Sequence, residues 1–195
     1  MIHTGKIKRV ALWLSRIRHV RGFGVQSPWA YSLVRYVINE RYPYYAYDSL
    51  AEKWRSEGRE RQRLAELVMR LANHIQSDRV IIPANDNGML MEYVKAGCRK
   101  TKTERYCENT SLETSHRLII LSAETTPHEW LRTIINTIPD HTFLLLTDMR
   151  LSNESKTLWK EIISTTKDVQ TFDLFHHGLI YKDSKRYKQH YKINF

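Results

Sequence analysis

The sequence predicts an α/β domain with a mainly parallel sheet, preceded by helices, and three observations lead there. From residue 79 onward, short runs rich in Val, Ile, Leu and Phe alternate with stretches of helical apolar spacing, the pattern of strand–helix–strand crossovers. Before residue 79 the apolar residues recur at spacings of three and four, as on helices packed by one face. The chain has 195 residues, of which 42% are hydrophobic, with only 7 Gly and 5 Pro. At that length roughly 70% of the unfolded surface can leave water, so a core forms without disulfide or metal staples.

The same composition excludes several classes. So many aliphatic and aromatic residues argue against intrinsic disorder. The longest apolar runs, 10–14, 118–121 and 143–146, fall far short of the ~20 residues that cross a bilayer. Ser15, Arg16 and Arg18 interrupt the first run before it can act as a signal-peptide core. Cys98 and Cys107 are nine apart, which matches no common zinc-ligand spacing. A cytoplasmic protein with two reduced thiols and no metal is expected.

Element by element, residues 5–20 place Ile7, Val10, Ala11, Leu14 and Ile17 on one helical stripe. Gly22 and Gly24 break that helix, and Ser27-Pro28 opens another, a cap residue followed by Pro at the first helical position. Its predicted buried face is Leu33, Val34, Val37 and Ile38. Residues 42–47, Tyr-Pro-Tyr-Tyr-Ala-Tyr, form an aromatic turn suited to packing under a loop or to stacking on a ligand ring. Asp48 caps a segment running to about Gln76 with a break near Gly58, with Leu64, Leu67, Val68, Leu71 and Ile75 inside and Arg59, Arg61, Arg63 and Arg70 toward water. Strands are expected over 79–83, 102–107, 117–122, 143–147 and 169–175, with helices over 87–96, 126–138 and 152–165. His176-His177-Gly178 turns the chain so that 179–181 pairs back antiparallel, and Tyr191, Ile193 and Phe195 suit one more short strand. This divides the chain into a basic helical segment, 1–78, packed on an α/β domain, 79–195.

The net charge of +10 is unevenly spread. Residues 1–79 hold 15 Lys and Arg against 7 Asp and Glu, whereas residues 80–181 are slightly acidic. Seven basic residues (Lys6, Lys8, Arg9, Arg16, Arg18, Arg21 and Arg35) precede the first acid, Glu40. A one-signed stretch of this kind either solvates a helix face or draws nucleic acid, another polyanion or an anionic membrane surface.

The segments Arg21-Gly-Phe-Gly-Val-Gln-Ser-Pro-Trp-Ala-Tyr31 and Asp173-Leu-Phe-His-His-Gly-Leu-Ile-Tyr181, with Lys188-Gln-His-Tyr191, resemble a bacterial subgroup of class I S-adenosylmethionine-dependent methyltransferase-like proteins. The resemblance implies a Rossmann-like methyltransferase-type sheet whose last strand is an antiparallel insertion, and S-adenosylmethionine as cofactor. It also implies a turn of the form acid-x-Gly-x-x-x-Gly after the first strand, where glycine lets the backbone approach the cofactor. Here that stretch is Ile82-Pro-Ala-Asn-Asp-Asn-Gly88, with Ala84 in place of the first glycine and Ile82 in place of the acid. Asn85, Asp86, Asn87 and Gly88 remain as candidate cofactor contacts, although a tight strand-to-helix turn explains them equally. Glu108, twenty residues beyond Gly88, matches the ribose-binding acid. Ser122 and Asp148 end two later strands, where such sheets bind ligands and where an Asp also caps turns.

Only about ten residues separate Glu108 from the strand at 118, where the family fits a helix, a strand and another helix. The sheet is therefore expected to be shortened by about one α/β unit, which leaves an edge that a second copy of the chain can cover. The function so implied is that of a methyltransferase-like protein with a degenerate cofactor site, either a pseudoenzyme or a weak S-adenosylmethionine binder, with no catalytic residue assignable. The alternative is a non-catalytic nucleic-acid- or partner-binding module in which Lys6, Lys8, Arg9, Arg16, Arg18 and Arg21 contact phosphates.

Overall fold

A computed structural model describes residues 24–107, 110 and 112–195. The helix expected over 5–20, its basic residues Lys6, Lys8, Arg9, Arg16, Arg18 and Arg21, and Glu108 lie outside the described residues.

Ser27 caps α1 (Pro28–Leu33) through its hydroxyl, which accepts from the Ala30 amide at 3.4 Å, and Pro28 occupies the first helical position where no amide is needed. The chain continues as a π-turn, Val34–Ile38, closed by the Asn39 amide on the Val34 carbonyl. The helix ends at Ile38, so the carbonyls of Val37 and Ile38, in its last turn, have no helical donors. Arg70 supplies them: its Nε donates to Val37 at 2.7 Å, Nη2 to Ile38 at 3.2 Å and Nη1 to the Tyr47 hydroxyl at 2.8 Å. This corrects the expectation that Arg70 faces water; it is 5% exposed because the π-turn demands a forked donor from inside.

The break expected near Gly58 separates α2 (Tyr47–Lys53) and a 3-10 turn (Arg55–Glu57) from the long α3 (Gly58–Ile75). Then come β1 (Arg79–Ile82), α4 (Met89–Gly97), β2 (Lys102–Arg105), β3 (His116–Ser122), α5 (His128–Thr137), β4 (Phe143–Thr147), α6 (Asn153–Thr165), β5 (Val169–Asp173), β6 (Gly178–Lys182) and β7 (Gln189–Lys192). They form a seven-stranded sheet in the order β2-β1-β3-β4-β6-β5-β7.

Among the described residues every strand pairing is parallel except those of β6, which runs antiparallel between β4 and β5. The reason is length: residues 174–177 make a tight turn, whereas parallel neighbours need a crossover of a dozen residues or more. No strand or helix occurs among the described residues between β2 and β3, so the sheet ends at β2, shortened as expected. Lys102, Glu104 and Arg105 give that edge a charged surface.

Alternate residues feed two cores. Val80, Ile82, Leu118, Ile120, Leu145 and Leu179 meet α3 and α4, while Ile81, Ile119, Leu121, Leu144, Leu146 and Ile180 meet α5 and α6. Burial on both faces is why these strands read as unbroken apolar runs. All five residues of β5 are buried, and the strand lies inside the sheet between β6 and β7. Trp29 also turns inward, tilted against Tyr181 at 4.5 Å between ring centres and stacked on Phe143 at 6.4 Å.

Candidate functional site

In a parallel sheet the loops after the strands gather at one edge, where crossovers leave a crevice. Three loops define it here: residues 83–88 after β1, 122–126 after β3 and 147–152 after β4, with the β5–β6 turn beside the last. They differ in how their polar groups are used.

The β1 loop is folded onto the start of α4. The Asp86 carboxylate, 4% exposed, accepts from the Gly88 amide at 2.9 Å and the Leu90 amide at 3.1 Å. It thereby caps a helix start whose amides otherwise lack partners. Asn87 accepts from the Met89 amide at 3.3 Å and donates to Glu57 at 2.8 Å. Gly88 has φ 101°, a conformation open to glycine, and a Cβ there would lie 3.9 Å from the Trp54 ring. Asn85 is exposed and Ile82 fully buried.

At the β4 end, Asp148 has φ 63°, and its Oδ2 accepts from the Ser122 hydroxyl at 2.8 Å and the Thr147 hydroxyl at 2.7 Å. Parallel pairing of β3 with β4, which sets Ser122 opposite Thr147, brings these ends together. Across β4 the antiparallel register opposes Leu146 to Gly178, and the Met149 amide continues it onto the His176 carbonyl at 3.0 Å. His177 sits in that turn with Nδ1 sealed from solvent and without a hydrogen-bond partner. Burial lowers its pKa to about 4 against the opposing pull of Asp148, with His176 and Arg63 lowering it further. Arg150 holds the turn from outside, donating to the Phe175 carbonyl at 2.6 Å and pairing with Asp173 at 3.0 Å.

The structure thus joins Ser122 with Asp148 and sets Asp86, Asn87 and Gly88 in one turn, but Asp86 and Asn87 serve α4 and Glu57. Sequence reasoning missed His177 and Glu124. The hydroxyl of Ser155, then that of Ser152, holds the Glu124 carboxyl below its usual range. The available signal for His177 was the register: a tight turn before β6 must set it beside the β4 end. Among the described residues no cluster of three or more His, Cys, Asp or Glu could hold a metal ion, and no helix is long and apolar enough to cross a membrane.

No protein-family profile matches the chain, and no curated protein sequence does. Among solved structures it is similar to the SAH-bound methyltransferase PaMTH1 of Podospora anserina, with a TM-score of 0.52 and 13% identity over 81% of this chain and 97% of that one. The likeness is one of fold: this chain has a methyltransferase-like, Rossmann-type α/β architecture.

Proposed function

We propose that this chain is a methyltransferase-like protein whose cofactor site is closed by its own side chains, so that it works by binding rather than by methyl transfer. The observation that carries this reading is the Asp86 carboxylate on the Gly88 and Leu90 amides. Amides at a helix start are the natural donors to a bound carboxylate or phosphate, and here they are spent. Two further features agree. Ile82, apolar and fully buried, stands where the resembled fold carries the acid that holds the cofactor's amino-acid part. The Trp54 ring and the Glu57 carboxylate, bonded to Asn87, stand by the same turn.

These residues do not fit S-adenosylmethionine as that fold holds it, and no reaction step is derived through it. Calorimetric titration with S-adenosylmethionine and S-adenosylhomocysteine tests the reading. No binding up to millimolar ligand, from folded protein, is expected. Micromolar binding that weakens in Asp148→Ala or Glu108→Ala would overturn it.

A second reading rests on the charge of the N-terminal segment, with Lys6, Lys8, Arg9, Arg16, Arg18 and Arg21 contacting a nucleic acid or other polyanion. Its mark is binding that falls steeply with salt and is lost when these six are changed to Gln.

A further inference from the structure

Away from the sheet edge, the π-turn and the residues after it shape a groove of about 210 Å³ lined by Arg35, Tyr36, Asn39, Glu40, Arg41 and Tyr42. Its floor is fixed. Val34, Val37 and Ile38 are buried beneath it, and Arg70 holds two of their carbonyls from inside. The outward side chains are therefore presented on a rigid turn, and an interruption of regular helix winding often marks a functional position.

The chemistry of the outward face is one-sided. Tyr36 and Tyr42 are 62% and 78% exposed, large rings left in water on a turn that could have buried them. Among the described residues neither Arg35 nor Arg41 has an ion-pair partner. The one acid, Glu40, is turned back on the chain, its Oε1 accepting from the Arg41 amide at 2.7 Å and the Tyr42 amide at 3.0 Å. Asn39 Nδ2 is sealed from solvent and has no acceptor. The groove thus offers two open rings and two guanidinium groups, neither in an ion pair among the described residues, beside the single carboxylate of Glu40.

We propose that this groove binds single-stranded nucleic acid. Tyr36 and Tyr42 stack on bases, and Arg35 and Arg41 contact phosphates. Rings can stack only on bases already free of a duplex, which is why the strand is single. The groove lies outside the basic residues 6–21, so the inference stands apart from their role, and it is independent of whether the β1 loop admits a cofactor.

The test is fluorescence anisotropy of the full chain with a labelled oligouridylate of about 15 nucleotides, and with its duplex, at about 50 and about 200 mM salt. Binding to the single strand in preference to the duplex is expected. Tyr36→Ala and Tyr42→Ala should each weaken it about tenfold, whereas Tyr36→Phe and Tyr42→Phe keep the ring and the affinity. Arg35→Gln with Arg41→Gln should reduce the salt slope by about 1.4, the value for two phosphate contacts on a single strand. Thermal melting confirms that the variants remain folded. Any of three results overturns the proposal: no binding at low salt, equal binding of the duplex, or affinity indifferent to the tyrosines and lost only when the cations of residues 6–21 are replaced.

Discussion

The loops after β1 and β4 lie on the same edge of one sheet, and they have been settled in opposite ways. After β1, the Asp86 and Asn87 side chains are bonded inward and the φ of 101° falls on a glycine, where it carries little strain. Beside β4, positive φ falls on Asp148 at 63° and Phe175 at 75°, and an imidazole nitrogen is sealed without a partner. The left-handed conformation costs an aromatic residue such as Phe175 on the order of 1–2 kcal/mol, whereas Asp adopts it readily. The difference teaches how unevenly one sheet edge can satisfy its polar groups and backbone. The β1 loop closes on itself as a helix cap, while the β4 side leaves a ring nitrogen unpartnered and carries positive φ on residues with side chains.

The largest effect should come from the tightly packed edge. A Cβ on Gly178 would lie 2.5 Å from the Trp159 ring and 2.6 Å from Met149 Sδ, and both side chains are buried. Gly178→Ala is therefore expected to cost about 3 kcal/mol. Gly88→Ala meets only the Trp54 ring at 3.9 Å, and should cost about 1–2 kcal/mol from its φ alone. Urea midpoints measure both, and equal losses would break the contrast.

Acid comes next. His177 titrates near 4 in the folded protein because it is buried, whereas an unfolded histidine titrates near 6.5. Above that value both states are neutral and stability is full. As pH falls from about 6.5 to about 4 the unfolded chain takes a proton that the folded chain refuses, so stability is lost, on the order of 3 kcal/mol in all. His74, lowered by burial and Arg117, adds a loss of the same sign. His177→Gln should flatten this slope; an unchanged slope in urea titrations at pH 7 and 4.5 would show the imidazole is not sealed.

How much of this the sequence disclosed follows from which forces are local. The strands at β1, β3 and β4 were legible because burial on both faces leaves continuous apolar runs such as Leu118 to Leu121. The shortened edge was legible as a count of residues between two strands. Arg70 was not, because its partners belong to a π-turn more than thirty residues away, and helix periodicity cannot anticipate that turn. That Ser122 and Asp148 lie together, 2.8 Å apart, was legible because strand ends in parallel sheets gather at one edge. Asp86 was found as a polar residue in the right turn, but whether a carboxylate faces a ligand or its own helix depends on backbone dihedrals that residue type does not encode. His177 depends on a register of two strands.

Asp86→Ala removes the cap on α4 and should cost about 1 kcal/mol, with Asp86→Asn losing less because an amide oxygen still accepts. Thermal or urea unfolding reads this directly. A loss near zero would mean that water replaces the carboxylate at no cost, and that the β1 loop is as open as its neighbour.

Asp148→Asn should have the smallest effect at neutral pH, and its value lies in its pattern. Asparagine tolerates the left-handed backbone as Asp does and keeps an oxygen for the Ser122 and Thr147 hydroxyls, so a change within about 0.5 kcal/mol is expected. What it removes is the negative charge that supports a proton on His177. With that charge gone the folded state resists protonation further, and the acid loss in urea titrations should deepen in the variant. A variant stable at pH 7 yet more labile in acid would show that the carboxylate and the imidazole sense one another across the β4 edge. Parallel pH profiles would show instead that Asp148 is only a turn residue, and the two loops would then differ in strain alone.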